Sequence, residues 1–260
     1  MVLKDSDEIF TSNTLLDLFN QAGYKTYWLS NQQFLGENQT LVSSIANRAR
    51  KKIFISPISE NKFDEELIPK LDKLLKENEQ KKVIFIHLMG THLSYQDRYP
   101  NEFNYFNTKN ISPFGDHADS FINHYDNAIL YNDYIISEII KRIDSFEGIN
   151  SMVYFSDHGD EVYDFRDFHG HSGTLLSKYM NSIPFIVYCN KTFNEAKKEK
   201  LKDMGNNSEK DFSLTNLSHT LQELYDIESE YFDKSKSFFS KAGQVHSNET
   251  STLDSAILYS

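Results

Sequence analysis

Short apolar runs that end in polar side chains alternate with segments of helical periodicity along most of this chain. The runs are rich in aromatic and β-branched residues, which favour strands, and they cover 24–29, 53–55, 83–87, 152–155 and 183–188. Leucines or isoleucines recur at helical spacing between them, in 14–22, 63–78, 124–145 and 214–225. This alternation predicts an α/β fold with a largely parallel sheet. Residues 93–120 show no period, which predicts a long loop.

The ends of the chain and of its first helix carry local signals. Asn13 is a suitable N-cap for the helix at 14–22, and Gly23 is a suitable stop. The segment after Lys241 is rich in serine, asparagine and threonine, so we expect a flexible tail over 241–260. The charged stretch 191–202 is interpreted as a solvated helix face.

Bulk composition excludes several broad classes. The 260 residues are 39 % hydrophobic, which is enough for one large domain or two small ones. A net charge of −11 argues against general nucleic-acid binding, because phosphate backbones require a basic surface. Cys189 is the only cysteine, so no intrachain disulfide can form. Neither a membrane-spanning run nor a secretory signal after Met1 is recognisable, so we expect a soluble chain without an export signal of its own.

The strongest chemical signal follows the apolar run 152–155, where Asp157 and His158 precede Gly159. A carboxylate and an imidazole are suitable ligands for a divalent metal, and glycine lets the backbone turn tightly beside them. An isolated motif of this kind would be better interpreted as a capping aspartate and a surface histidine. Further polar clusters at 30–31 and 87–92 reverse that preference. Because ligands gather beyond the carboxyl ends of parallel strands, we expect the clusters to converge on one metal-dependent site.

The other histidines carry weaker signals. His87 ends an apolar run and is interpreted as a structural histidine. His92 lies beyond Gly90 and is a candidate ligand or proton donor. His169 and His171 are two residues apart in a polar loop, where both can face one metal, and His171 is the preferred candidate of the two.

Two arginines are candidate anion-binding side chains. They are Arg98 and Arg166, and a guanidinium can bind a phosphate through two parallel hydrogen bonds. A solvated arginine is the simpler interpretation for each of them. The aromatic residues of the loop at 93–120 are interpreted as a satellite hydrophobic cluster.

Several of these blocks together resemble the sulfatase-like branch of the alkaline phosphatase superfamily, and most closely the catalytic domain of bacterial phosphoethanolamine transferases. In the order of that family, the blocks are 14–17, 22–24 through 28–32, 87–92 with 98–100, 125–127 through 131–134, 156–164, 170–171 and 183–185. The resemblance covers about residues 11–230. It implies an alkaline phosphatase/sulfatase-like three-layer sandwich with a largely parallel central sheet over 1–240, truncated at its N-terminus.

The resemblance also implies a chemistry, the zinc-dependent transfer of phosphoethanolamine from phosphatidylethanolamine to lipopolysaccharide or another cell-envelope glycan. Enzymes of this family use a zinc-bound threonine as nucleophile. By resemblance, Asp157 and His158 are the expected zinc ligands. His92 and His171 are expected to hold the substrate phosphate or a second zinc ion and to assist proton transfer, with His169 as the alternative to His171. We therefore expect one or two zinc ions.

One departure from the family limits these expectations. The nucleophilic threonine and a further acidic ligand of the family lie upstream of the block that begins at Thr14. We therefore expect the nucleophile upstream of Met1, and neither Thr11 nor Thr14 is assigned to that role. The membrane helices of the family, which anchor it at the periplasmic face of the inner membrane, lie further upstream still.

This departure leads us to expect that the chain alone is inactive. A phosphodiesterase or sulfatase of the same superfamily, in which water is the acceptor, is one alternative. A non-catalytic folded remnant is the other.

Overall fold

The chain forms two compact units in a computed structural model that describes residues 13–34, 40–55, 62–208, 210–240 and 256–259. The first unit consists of Met1–Pro100 with Ile227–Ser229, and the second consists of Asn101–Asp226 with Glu230–Ser260. Each unit contains a three-stranded sheet with helices. The predicted α/β class is therefore confirmed.

The first unit is built on parallel strands in the order β2-β1-β3. The central strand, β1, is buried along nearly its whole length. Its Trp28 packs with Leu16, Ala46 and Ala49 into one cluster of the core. The elements are α1 (Leu15–Gln21), β1 (Lys25–Ser30), α2 (Leu41–Ala46), β2 (Lys51–Phe54), a 3-10 turn (Asp64–Leu67), α3 (Ile68–Leu75) and β3 (Lys82–His87).

Helix α1 begins with a capping box rather than at the predicted N-cap, Asn13. The Thr14 hydroxyl accepts from the N–H of Asp17, and the Asp17 carboxylate accepts from the N–H of Thr14. This reciprocal pair satisfies two backbone donors, which is why the helix starts at Leu15. Gly23 follows the helix with a φ of +81°, in agreement with the predicted stop. Thr14 therefore has a structural role.

The second unit contains a sheet of order β4-β7-β8. Strands β4 and β7 are antiparallel, whereas β7 and β8 are parallel, so this sheet departs in one pair from a parallel arrangement. A separate two-stranded hairpin is formed by β5 and β6. The elements are α4 (Asp116–Ser145), β4 (Ser151–Phe155), β5 (Glu161–Val162), β6 (His169–Gly170), α5 (Lys178–Asn181), β7 (Phe185–Cys189), α6 (Lys191–Ala196), α7 (Lys198–Asn206), α8 (Leu217–Tyr225) and β8 (Ala256–Tyr259).

Helix α4 starts at Asp116, inside the segment predicted as a loop and eight residues before the predicted start at 124. Asp119 is buried and accepts from the backbone N–H groups of 110–112. Asn127 is also buried, and its side-chain oxygen accepts from the N–H groups of Tyr105 and Phe106. These side chains satisfy loop donors that would otherwise lack partners. Asp119 lies in the missed first turns, where a buried polar residue interrupts the apolar periodicity that would have revealed this part of the helix.

The two ends of the chain are described only in part. Residues 1–12, which include Met1, lie outside the described residues, and so do 241–255 and 260, most of the predicted tail. Near the C-terminus, Ala256–Tyr259 pairs in parallel with β7. Cys189, at the end of β7, is buried, and burial raises the pKa of its thiol to about 12. Among the helices of the described ranges, none has the length and apolar character needed to cross a bilayer.

Candidate metal centre

The turn after β4 is held against α5 at Gly159. The N–H of Gly159 donates to the carbonyl of Met180 at 2.8 Å. A Cβ at this position would lie 2.2 Å from the carbonyl oxygen of Tyr179 and 2.7 Å from that of Ser182. Gly159 is not among the residues with positive φ, so it permits a close approach of two backbones rather than the tight turn that the sequence suggested. This contact fixes the backbone directly after His158.

The β5–β6 hairpin brings the next two chemical groups together. Glu161 pairs with Gly170 and Val162 pairs with His169. This register places Asp160, which precedes β5, opposite His171, which follows β6. Nδ1 of His171 lies 2.9 Å from Oδ1 of Asp160. Hairpin register therefore joins two residues that are separated by eleven positions in the chain.

His158, Asp160 and His171 form a cluster whose potential ligand atoms all lie within 4.8 Å of one another. The two imidazole rings have centroids 3.8 Å apart, and Nδ1 of His158 is 3.8 Å from Oδ1 of Asp160. The Asp160 side chain is 7 % exposed, whereas the two histidine side chains are about 40 % exposed. The cluster is thus a shallow site with a buried carboxylate and two imidazoles that reach solvent.

The hydrogen bonds of the cluster fix which imidazole nitrogens can bind a metal. Nδ1 of His158 faces the carbonyl oxygen of Gly159 at 3.0 Å. A carbonyl can only accept, so this nitrogen carries the proton. Nδ1 of His171 faces the carboxylate of Asp160 in the same way. Both rings then present the lone pair of Nε2, as metal-binding histidines do. Two imidazoles and a carboxylate are suitable ligands for zinc.

Asp157 lies beside this cluster on its solvent side. Its side chain is 89 % exposed, and Oδ1 lies 4.0 Å from Nε2 of His158, the nitrogen that His158 leaves for a ligand. Its role as a zinc ligand stays a prediction. Asp160 was not recognised as a candidate from the sequence, although it belongs to the block at 156–164. Only the hairpin register reveals that its carboxylate lies between two imidazoles.

His169 lies in a different environment from His171. Nδ1 of His169 is 3.1 Å from the hydroxyl of Tyr163, and its ring centroid is 4.0 Å from that of Phe121. Burial lowers the pKa of His169, and the nearby His117 adds to this effect. Residues two apart in a regular strand would share one side, but Gly170 between these two has a φ of +89°. The structure brings His171, not His169, to His158.

Tyr125 on α4 is a further residue near the cluster that sequence reasoning did not single out. Burial raises the pKa of its phenol to about 12, and the carboxylates of Asp160 and Asp164 add to this shift. The phenol is therefore protonated at neutral pH and can act as a hydrogen-bond donor.

In the first unit, the turn that carries His92 is organised by a buried carboxylate. Asp64 is 4 % exposed and accepts from the N–H groups of Met89 and Gly90, both at 2.9 Å. It also accepts from Nδ2 of Asn31 at 2.8 Å. Burial raises the pKa of Asp64, and these hydrogen bonds oppose the shift. Gly90 has a φ of +57°, which favours glycine at this position.

Arg98 completes this turn by donating to backbone carbonyls. Its Nε donates to the carbonyl of His92 at 3.0 Å and its Nη2 to that of Leu93 at 3.1 Å. The interpretation of Arg98 as a solvated side chain is therefore wrong. His92 itself is exposed. The prediction that it shares one site with His158 stays a prediction, because the two turns belong to different units.

His87 is held by its neighbours in the first sheet. Nδ1 of His87 lies 3.1 Å from the hydroxyl of Ser30, and its ring centroid is 5.5 Å from that of Trp28. This environment agrees with the interpretation of His87 as a structural histidine. Of the polar clusters at strand ends, those at 30–31 and 87–92 thus meet within the first unit.

Neither threonine near the start of the chain is assigned as the nucleophile, and Thr11 lies outside the described residues. Thr14, the first threonine of the described part, is engaged in the capping box of α1. This contact is consistent with the expectation that Thr14 is not the nucleophile.

Comparison with known proteins places this chain among enzymes of one family. The sulfatase family model matches residues 4–227. The phosphoethanolamine transferase EptC of Escherichia coli is 30 % identical over 243 residues, which cover 90 % of this chain and 41 % of that protein. The phosphoethanolamine transferase EptA of Helicobacter pylori is 32 % identical over 208 residues, which cover 73 % of this chain and 38 % of that protein. The chain thus spans about two fifths of the length of these curated relatives.

The fold is similar to a solved structure from the same group. The crystal structure of the C-terminal periplasmic domain of EptC from Escherichia coli, in complex with Zn, superposes with a TM-score of 0.82 at 29 % identity. The match covers 90 % of this chain and 67 % of that one. The alkaline phosphatase/sulfatase-like fold predicted from the sequence is therefore confirmed.

Proposed function

This chain belongs to the sulfatase family, and from that premise we propose that it supplies the metal-binding part of a zinc-dependent phosphoethanolamine transferase site. The observation that carries this proposal is the convergence of His158, Asp160 and His171. It occurs in a chain whose relatives are named phosphoethanolamine transferases. The zinc complex of a similar domain supports the choice of metal.

The proposed donor is phosphatidylethanolamine, and the proposed acceptor is a lipopolysaccharide or another cell-envelope glycan. In this reaction the bond between phosphorus and the glycerol oxygen breaks as phosphorus bonds to the nucleophilic hydroxyl of the enzyme, and the released diacylglycerol takes up the proton that this hydroxyl loses. A hydroxyl of the acceptor then displaces the enzyme oxygen from phosphorus and returns a proton to it. A similar solved structure is described as a C-terminal periplasmic domain, which supports a site of action at the periplasmic face of the inner membrane.

The described residues have distinct roles in this proposal. His158 and His171 offer Nε2, and Asp160 and Asp157 offer carboxylate oxygens to the ion. Bound zinc lowers the pKa of a coordinated hydroxyl and withdraws charge from phosphoryl oxygens. Asp160 also orients His171 through Nδ1. His92 is proposed to contact the substrate phosphate.

Zinc titration of the 260-residue chain by calorimetry tests the metal centre. We expect His158→Ala and Asp160→Ala to weaken binding by more than the roughly 10–100-fold that loss of an outer partner costs. Asp167→Ala is the matched control, because Asp167 is an exposed carboxylate of the same hairpin. Unchanged zinc affinity in both cluster variants would show that the ion binds elsewhere or not at all.

The transfer reaction is tested in bacteria that express the complete reading frame encoding this chain. Mass spectrometry should detect a glycan that has gained phosphoethanolamine, together with released diacylglycerol, and both signals should vanish in His158→Ala. Diacylglycerol without a modified glycan would mean that water is the acceptor. That outcome would favour the phosphodiesterase alternative.

A further inference from the structure

Glu161 and Arg166 form an ion pair inside the β5–β6 hairpin, with the carboxylate buried and the guanidinium partly exposed. Glu161 directly follows Asp160 and is 0 % exposed. Nε of Arg166 donates to Oε1 of Glu161 at 2.7 Å, and Nη2 donates to Oε2 at 2.9 Å. Two parallel hydrogen bonds of this kind are stronger and more directional than a single contact. Arg166 is therefore not the solvated side chain that the sequence suggested.

Arg166 also ties the hairpin to the chain beyond His171. Its Nη2 donates to the carbonyl of Leu175 at 3.0 Å. Its guanidinium lies 5.0 Å from the ring centroid of Phe165 and 5.1 Å from that of Phe168. One side chain thus links the first strand of the hairpin, the hairpin loop and the segment that follows His171.

The positions of these contacts relate the pair to the metal centre. Glu161 is covalently next to Asp160, and its partner across the hairpin is Gly170, which is covalently next to His171. The pair therefore restrains both chain segments that carry the hydrogen bond between Asp160 and His171. If it were lost, a buried carboxylate would remain without its cation, and the two-residue strands alone would have to keep the register.

We propose that Glu161 and Arg166 are positioning residues for the metal centre, which maintain the hydrogen bond by which Asp160 orients the ring of His171. This inference rests on the proposed function, because it assumes that zinc binds the cluster. Its physical basis is preorganisation, since ligands that are already in place give a higher metal affinity than ligands that must be assembled.

Competition with a chromophoric chelator measures the zinc affinity of Arg166 variants in the full chain. We expect Arg166→Met to weaken zinc binding about 10–100-fold, the range known for outer-shell partners. Arg166→Lys should recover part of the loss, because an ammonium restores the charge but not the paired hydrogen bonds. Arg142→Met is the matched control. It removes another arginine–glutamate pair, with Glu138 at 2.7 Å, roughly 25 Å further along α4 than Tyr125, and it should bind zinc with unchanged affinity.

Cobalt substitution separates positioning from simple stabilisation. If the pair only stabilised the fold, Arg166→Met would lower the urea midpoint of the metal-free chain but leave the visible absorption bands of bound Co²⁺ unchanged. Positioning predicts altered bands and weaker binding in the folded variant. Wild-type zinc affinity and a wild-type cobalt spectrum in folded Arg166→Met would overturn the inference.

Two milder variants keep the test decisive if the methionine variant does not fold. Arg166→Lys and Glu161→Gln both keep the interior filled, and wild-type zinc affinity in both would equally overturn the inference. A parent chain that binds no zinc would overturn the proposed function itself. A parent chain that binds zinc without regard to Arg166 would overturn only the role of the pair.

Discussion

Two turns of this molecule carry candidate catalytic histidines, and they are held in place in different ways. In the first unit, Asp64 accepts from backbone N–H groups and Arg98 donates to backbone carbonyls. In the second unit, Glu161 and Arg166 bind mainly each other, and the backbone is held by the pairing of β5 with β6. Each turn has a buried carboxylate and an arginine. Only in the first turn do both of these side chains form hydrogen bonds with the peptide groups of the turn itself.

The difference determines which atoms are fixed. Hydrogen bonds to peptide groups fix the path of the chain but leave the His92 side chain exposed. In the hairpin, the Asp160 carboxylate reaches the His171 imidazole directly, so the side chain itself is oriented. We infer that the His92 side chain becomes oriented only when a ligand binds. The histidine side chains of the hairpin, in contrast, are already oriented before an ion binds.

Glycine has a different role in each turn, and this predicts the largest difference in stability. We expect Gly159→Ala to lower the free energy of unfolding by about 3 kcal/mol or more, because the added Cβ would lie 2.2 Å from a backbone carbonyl. Tyr179 belongs to α5 and Ser182 directly follows it, so neither carbonyl group can move away unless α5 moves. Urea unfolding with fitted m-values measures the change.

Gly90→Ala is the matched variant in the first unit. No atom lies within 4 Å of the added Cβ, so only the left-handed backbone opposes the substitution, at about 1–2 kcal/mol. Equal losses in the two alanine variants would contradict the distinction between a conformational and a steric requirement.

The buried carboxylate of the first turn gives the next largest effect. We expect Asp64→Asn to lower the free energy of unfolding by about 2 kcal/mol. The substitution removes the negative charge and turns an NH₂ group toward donors that need an acceptor. Under the proposed function, the displaced turn should also reduce transfer activity through His92. Urea unfolding and the mass-spectrometric assay measure the two effects.

Asp119→Asn is the control for this prediction, because Asp119 is also buried and accepts from the backbone N–H groups of 110–112. It should lose a similar amount of stability while transfer activity per folded molecule is kept. If both aspartate variants lose activity equally, the Asp64 turn has no role beyond stability.

These comparisons also show which features can be read from the sequence. The strands are recognisable because each apolar run is short and ends in polar residues, and β1 and β3 lie within one residue of the predicted ranges. His158 is recognisable because it directly follows such a run. Asp160 is not, because strands of two residues leave no periodicity from which to infer their register. Arg98 and Arg166 are misread because a sequence does not show which carbonyl or carboxylate a long side chain meets.

The smallest expected effect is a change in the pH dependence of stability at one histidine. Its Nδ1 accepts a hydrogen bond, whereas the imidazoles of the metal centre donate through Nδ1. Nδ1 of His219 on α8 accepts from the N–H of Asp233 at 3.2 Å. Burial lowers the pKa of His219, Lys236 adds to the shift, and Asp233 opposes it. Because the unfolded chain binds the proton more readily, stability should fall as the pH drops through about 6.5, the pKa of the histidine in the unfolded chain.

His219→Asn keeps an acceptor that does not titrate, so its urea midpoint should change less between pH 7.5 and pH 5 than that of the parent. An identical pH dependence in the two proteins would show that protonation of His219 in the folded state does not reduce the free energy of unfolding. The difference between a donating and an accepting imidazole would then have no effect on stability.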